Sequence, residues 1–129
     1  MSITNRIGSI LSEIFSHPTK PSYILNVAGA NRVIRPGEDY SNQDLTGLNF
    51  SGFDLRNSNF CGADLSGSDL SGAHLEGADL TGAKLNGTRL SGAHLNGTVF
   101  KFESLNEATF EAPPSGLSLD EINKIKNKS

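Results

Sequence analysis

The chain has 129 residues, a mass of 13.7 kDa and a net charge of −3, a length that suits a single domain. Apolar residues make up 36% and charged residues 19%, and no dense block of Lys and Arg occurs, which disfavours direct nucleic-acid binding along a groove. Cys61 is the one cysteine, so no internal disulfide forms and a reducing, cytoplasmic setting is expected.

Residues 3–15 carry Ile3, Ile7, Ile10, Leu11, Ile14 and Phe15 on one helical stripe, which Ser2 or Thr4 would cap and Pro18 would stop. Glu13 interrupts its apolar character and Arg6 is its one base, so it reads as neither a secretory signal nor a lipid-binding helix. No apolar run reaches the length of a membrane span, about 18 residues. Two short strands come next, Tyr23–Val27 and Arg32–Arg35, with Ala28 to Asn31 turning between them and Pro36-Gly37 ending the second. Residues 1–42 are therefore expected to form an N-terminal cap. Glu38-Asp39-Tyr40-Ser41-Asn42 is in register with a five-residue repeat centred on Leu45 and its successors, and reads as a degenerate unit of that repeat.

Every fifth residue from position 45 to 110 is Leu or Phe, from Leu45, Phe50, Leu55 and Phe60 through an unbroken run of Leu to Phe100, Leu105 and Phe110. Two places earlier a small residue recurs, as at Ser58, Ala63, Ser68, Ala73, Ala78 and Ala83, and two places later stands Gly, with Asn57 the exception between 47 and 97. A period of five fits neither regular element. Five residues advance about 500° on a helix and put successive Leu on opposite faces of a strand. All of them point inward only if the chain turns once per repeat, at the Gly or Asn. The small residue two places before shares the inward direction, as alternation along a strand requires. The fold class is thus an all-β solenoid with one large and one small inward side chain per edge.

The stretches Ala63-Asp64-Leu65-Ser66-Gly67, Ala73-His74-Leu75-Glu76-Gly77 and Ala78-Asp79-Leu80-Thr81-Gly82 resemble the pentapeptide-repeat proteins, whose pattern is A(D/N)LXX, and the resemblance extends over residues 43–112. It implies a right-handed quadrilateral β-helix with four pentapeptides per coil. Seventy residues then make three and a half coils, roughly 17 Å of rod at about 4.8 Å per coil. Such a rod has two raw ends, so the flanks should close them.

At the other end Pro113-Pro114 should stop the coils, and residues 113–129 should form a short C-terminal helix. Ser118-Leu119-Asp120-Glu121 fits a capping box, and Leu119, Ile122 and Ile125 give a thin apolar stripe that either covers the coil end or makes a homodimer contact.

With 20 residues per coil, the outward site before each central Leu or Phe gives four columns: Asp54, His74, His94; Asp44, Asp64, Lys84, Ser104; Asn49, Asp69, Arg89, Thr109; and Asn59, Asp79, Val99. Asp54, His74 and His94 are metal-ligand types, yet side chains standing parallel on a flat face do not converge, and the expectation is a solvated column without metal. Cys61 has no base nearby to activate it: Arg56 is closest in sequence and falls on another face. No nucleophile–base pair and no phosphate loop is found, so neither catalytic residues nor a cofactor are expected. One irregularity stands out. Glu103 occupies an inward small-residue site, Phe102 the Gly site before it and Glu107 the Gly site after it, so the last coil should bulge there and leave Glu103 exposed.

The resemblance implies a non-catalytic rod that binds another protein, as do signalling scaffolds and bacterial effectors of the family. The alternative is a DNA mimic like the fluoroquinolone-resistance members that protect DNA gyrase. Residues 43–112 hold nine acids against four bases, which suits mimicry in sign. Length and the interruptions at Lys84 and Arg89 argue against it: roughly 17 Å covers only about five base-pair steps.

Overall fold

The computed structural model describes residues 23–27 and 29–127. The expected helix over residues 3–15 lies outside them.

The first elements are β1 (Tyr23–Val27) and β2 (Ala30–Ile34), an antiparallel hairpin in which Tyr23 pairs with Ile34 and Val27 with Ala30. The second strand thus begins two residues before the expected Arg32 and stops at Ile34 rather than Arg35. The cause is local: Gly29 takes φ +84, its N–H bonds Asn26 Oδ1 at 3.1 Å, and Asn26 Nδ2 bonds Asn31 Oδ1 at 3.2 Å, so the turn closes early and Asn31 joins the strand.

From there the chain winds in coils. Parallel bridges join residues 20 apart: Asp39 to Asn59, Asp44 to Asp64, Asn49 to Asp69 and Asp54 to His74, and so on to Arg89 with Thr109. Along the regular coils the central residue donates to the coil after it, as Leu65 N–H to Lys84 O at 2.9 Å, and the residue before it donates to the coil before, as Asp64 N–H to Gln43 O at 2.9 Å. The corner is a turn in which Ala63 N–H bonds Phe60 O at 3.0 Å. The glycine of each corner has positive φ, and Asn57, with φ 59, takes the same conformation. Twenty residues per coil is four pentapeptides, so the chain is a β-solenoid. Tyr40 is fully buried and Asn42 has φ 58, so residues 38–42 are a unit of the solenoid, as their register suggested.

The core is the column of central side chains. Leu45, Phe50, Leu55, Phe60, Leu65, Leu70, Leu75, Leu80 and Leu90 are fully buried, with Ala63, Ala73, Ala78 and Ala93 between them. Two of the polar small residues inside are satisfied by one carbonyl, Ser68 Oγ donating to Leu65 O at 2.6 Å and Thr88 Oγ1 to the same oxygen at 2.7 Å, whereas the buried Ser58 hydroxyl has no partner among the described residues.

Both ends depart from the repeat for identifiable reasons. On the first coil the small-residue sites hold Gln43, Leu48 and Phe53. Phe53 stacks on Tyr23 of the hairpin at 3.8 Å, and the Arg32 guanidinium bonds Gln43 Oε1 and lies over the Tyr40 ring. Oversized inward residues thus mark where the hairpin docks. On the last coil a 3-10 helix (Phe102–Glu107) replaces one edge and keeps only Leu105 fully buried. Glu103 is exposed there, as expected of a bulge. Pro113-Pro114 does not stop the coils. Leu95 N–H bonds Ser115 O at 2.9 Å and Ser115 N–H bonds Ala93 O at 2.8 Å, so the ladder runs on to Ser115 with one residue added to the coil. The prolines are tolerated because this last strand is an edge.

Helix α1 (Leu119–Lys126) comes last, with the anticipated capping box: Glu121 N–H to Ser118 Oγ at 3.3 Å and Ser118 N–H to Glu121 Oε2 at 2.7 Å. Ile125 is buried against the core cluster, whereas Leu119 is 72% exposed. Among the described residues no helix is long and apolar enough to cross a membrane.

Candidate functional site

An outward residue stands just before each central one, and the first turn residue stands just after it. The two share a side of the edge, so they meet as i, i+2 pairs. Where the first is Asp or Asn, its Oδ1 accepts the N–H of the second: Asn49 from Ser51, Asn59 from Cys61, Asp69 from Ser71 and Asp79 from Thr81, each at 2.9 Å. Bonds from the Ser or Thr hydroxyl two places on, and then these backbone bonds, hold the Asp39, Asp44, Asp64, Asp69 and Asp79 carboxyls below the usual carboxylate range, so the faces of the early coils carry firmly ionised acids. Lys84 and Arg89 stack above Asp64 and Asp69 in their columns, as the 20-residue register requires. Ser104, expected above Lys84, lies instead in the 3-10 helix, which carries that edge out of register.

The Asp54, His74, His94 column forms as expected, with bridges from Asp54 to His74 and from His74 to His94, and it continues to Ser115. The two imidazoles stack with ring centres 4.4 Å apart and planes 2° from parallel. Asp54 is only 4% exposed, because Arg56 folds back on it: Nε to Oδ1 at 2.8 Å and a terminal nitrogen to Oδ2 at 2.7 Å. Those bonds pull the Asp54 carboxyl below its usual value. Arg56 therefore lies beside this column and on a different face from Cys61, as expected, because the first turn residue faces the same side as the outward residue before it.

Sequence reasoning did not place Glu76 beside this column. It stands one coil after Arg56 and two residues after His74, and its Oε1 lies 3.4 Å from His74 Nδ1. Ligand atoms of His74, Glu76 and His94 all lie within 4.8 Å of one another. Glu76 Oε2 is buried and has no hydrogen-bond partner. At the far end Ser115 Oγ is 3.3 Å from His94 Nδ1. The signal that would have found Glu76 is the i, i+2 pairing itself, legible wherever Asp or His is followed two places later by a charged residue.

Cys61 is partly buried beside Asp79. Its thiol donates to the Asp79 carboxylate, which together with burial pushes the thiol pKa up. A shallow pocket of about 210 Å³ opens beside the first coil, lined by Pro36, Gly37, Arg56 and Asn57, and its one charged lining residue is the arginine already held by Asp54.

A solenoid of stacked four-corner coils, filled inside and polar on its faces, defines the class of protein. Residues 41–77 and 73–111 match the family model of pentapeptide repeats, and the chain belongs to that family. A pentapeptide repeat protein from the thylakoid lumen of Arabidopsis thaliana is similar at 28% identity over 73% of this chain and 74% of its own, with a TM-score of 0.58. Another from Nostoc is 29% identical over 64% of this chain and 79% of its own, with a TM-score of 0.40. A search of curated proteins finds no significant match.

Proposed function

We propose that the chain is a non-catalytic interaction rod that binds a basic surface of another protein through the acidic faces of its early coils. The observation that supports this reading is the set of turn-bonded carboxylates, Asp39, Asp44, Asp64, Asp69 and Asp79, each held ionised by the hydroxyl and the backbone N–H of the Ser or Thr in its own corner. A charge fixed by bonds within its own corner on a stiff ladder is already ordered and loses little entropy on contact. The rod itself is taken as a right-handed quadrilateral β-helix, on the pattern of the Arabidopsis relative, with residues 1–42 and 113–129 as its caps and 43–112 as its shaft. A single cysteine, its thiol held by Asp79, suits a reducing, cytoplasmic setting.

The test is capture from the native host with the full chain and with an Asp44→Asn, Asp64→Asn, Asp79→Asn variant. Asparagine keeps the turn bond, as Asn49 and Asn59 show, and removes only the charge. A partner held by the parent, lost by the variant and released by salt supports the reading. A partner held equally by both overturns it.

The same acidic columns favour one second reading, a DNA mimic acting on DNA gyrase. Relief of drug-inhibited supercoiling by added protein would support it. A homodimer through α1, whose Leu119 is exposed, is the further partner proposed, and a monomer in light scattering would exclude it.

A further inference from the structure

We infer that His74, Glu76 and His94 bind a divalent transition-metal ion of the zinc type and that the ion staples two successive coils together. Two imidazoles and a carboxylate form a donor set that suits such ions and is poor for Mg²⁺ or Ca²⁺. Their ligand atoms already lie within 4.8 Å of one another. The separation of His74 Nδ1 from Glu76 Oε1, 3.4 Å, is long for a charge-assisted hydrogen bond. It does match the edge of a tetrahedron around an ion with bonds of about 2.0–2.1 Å, an edge of about 3.4 Å.

Glu76 Oε2 supplies an independent reason. It is desolvated and accepts no hydrogen bond, an arrangement that costs free energy unless a cation lies beside the carboxylate. The charge of Arg56, one coil earlier, reaches Glu76, but its Nε and a terminal nitrogen are bonded to Asp54, so no hydrogen bond goes to Glu76 Oε2. That pairing also explains why Glu76, and not Asp54, completes the set: both Asp54 oxygens are taken.

The third donor comes from the neighbouring coil. His94 Nδ1 is 3.3 Å from the Ser115 hydroxyl, and the tautomer that donates Nδ1–H to it would leave Nε2 as the ligand nitrogen, the usual division of labour in a metal-binding histidine. Stacked rings aim their lone pairs in parallel planes, so capture of the ion requires an imidazole to rotate about its Cα–Cβ bond. The His74 side chain is 46% exposed, so solvent borders one side of the ring. Three protein ligands leave one position open to water. Because His74 and His94 belong to coils joined by a bridge, the bound ion resists separation of those coils.

The experiment is calorimetric titration of the full chain with Zn²⁺ near neutral pH, with Mg²⁺ in parallel and thermal unfolding recorded at each metal concentration. One equivalent of Zn²⁺ should bind and Mg²⁺ should not, the unfolding midpoint should rise with Zn²⁺, and affinity should fall in acid, where protons compete with the ion for its ligands. His74→Ala and His94→Ala should remove the site, and Glu76→Gln should weaken it about tenfold or more. Unfolding without metal confirms that each variant is folded. No Zn²⁺ uptake by the parent, uptake unaffected by either histidine variant, or Glu76→Gln binding as the parent does would each overturn the inference.

Discussion

Gly116 lies against the backbone of Asn96 so closely that a Cβ there would sit 2.5 Å from the Asn96 nitrogen and 2.7 Å from the Leu95 carbonyl carbon. Its φ is also +90. This glycine brings the chain over the end of the solenoid just after Ser115 has paired with the Leu95 edge, and both its conformation and its lack of a side chain are needed. Gly116→Ala should therefore destabilise by more than the roughly 1–2 kcal/mol of left-handed strain alone. Gly87→Ala is the control, since Gly87 has φ +65 and open space around its Cβ position. Equal losses in chemical denaturation would show that the close approach carries no weight.

Acid should destabilise the rod through its corners. The Asp44, Asp64, Asp69 and Asp79 carboxyls are lowered when folded by bonds from the residue two places on. A group whose folded pKa is depressed contributes stability that is present above its unfolded value, about 3.9, and is lost as pH falls through the folded value. The thermal midpoint should hold steady near neutrality and fall below about pH 4. Asp69→Asn should flatten part of that fall and cost little at neutral pH, because Asn49, one coil before it, makes the same turn bond at 2.9 Å. An acid profile identical in parent and variant would contradict this.

Much of the fold is legible in the sequence because one physical requirement repeats. A five-residue period with one inward Leu forces a turn at each Gly, and the 20-residue columns emerge once four units make a coil. The features that sequence alone does not reveal lie where the repeat meets something else. Gln43 and Phe53 fill small-residue sites, and the hairpin explains them: Phe53 stacks on Tyr23 and Gln43 meets Arg32. Pro113-Pro114 reads as a stop in sequence, yet an edge strand asks no further coil for hydrogen bonds, so pairing continues to Ser115. Arg56 and Glu76 join the histidine column because the first turn position has a fixed direction, and variable residues at that position carry no periodic signal of it.

Leu75 and Leu80 sit in mid-rod, fully buried, with Ala73 and Ala78 beside them. Changing either to Ala should cost about 2–5 kcal/mol, at the upper end if the ladder on both sides keeps the coils from closing the cavity. Leu119→Ala, at a 72% exposed position of α1, should be close to neutral in the monomer. Denaturant midpoints measure both, and a mid-rod Leu→Ala variant as stable as its parent would refute the inward assignment.

The thiol of Cys61 should be unreactive for its exposure, and Asp79 is the reason. Donation to the Asp79 carboxylate stabilises the thiol form, burial adds to this, and the charge of Asp39 in the same column opposes the thiolate further. The thiolate is the reacting species, so modification by a disulfide reagent near neutral pH should run more slowly than for a free cysteine whose pKa is about 8.5. Asp79→Asn retains an oxygen for the Thr81 turn bond, as Asn59 does for Cys61, while removing the carboxylate. That variant should keep its unfolding midpoint at neutral pH and react faster, with the midpoint of the rate–pH curve moved down. A parent that reacts as fast as a free thiol, or a variant with an unmoved curve, would show that the carboxylate does not govern the thiol.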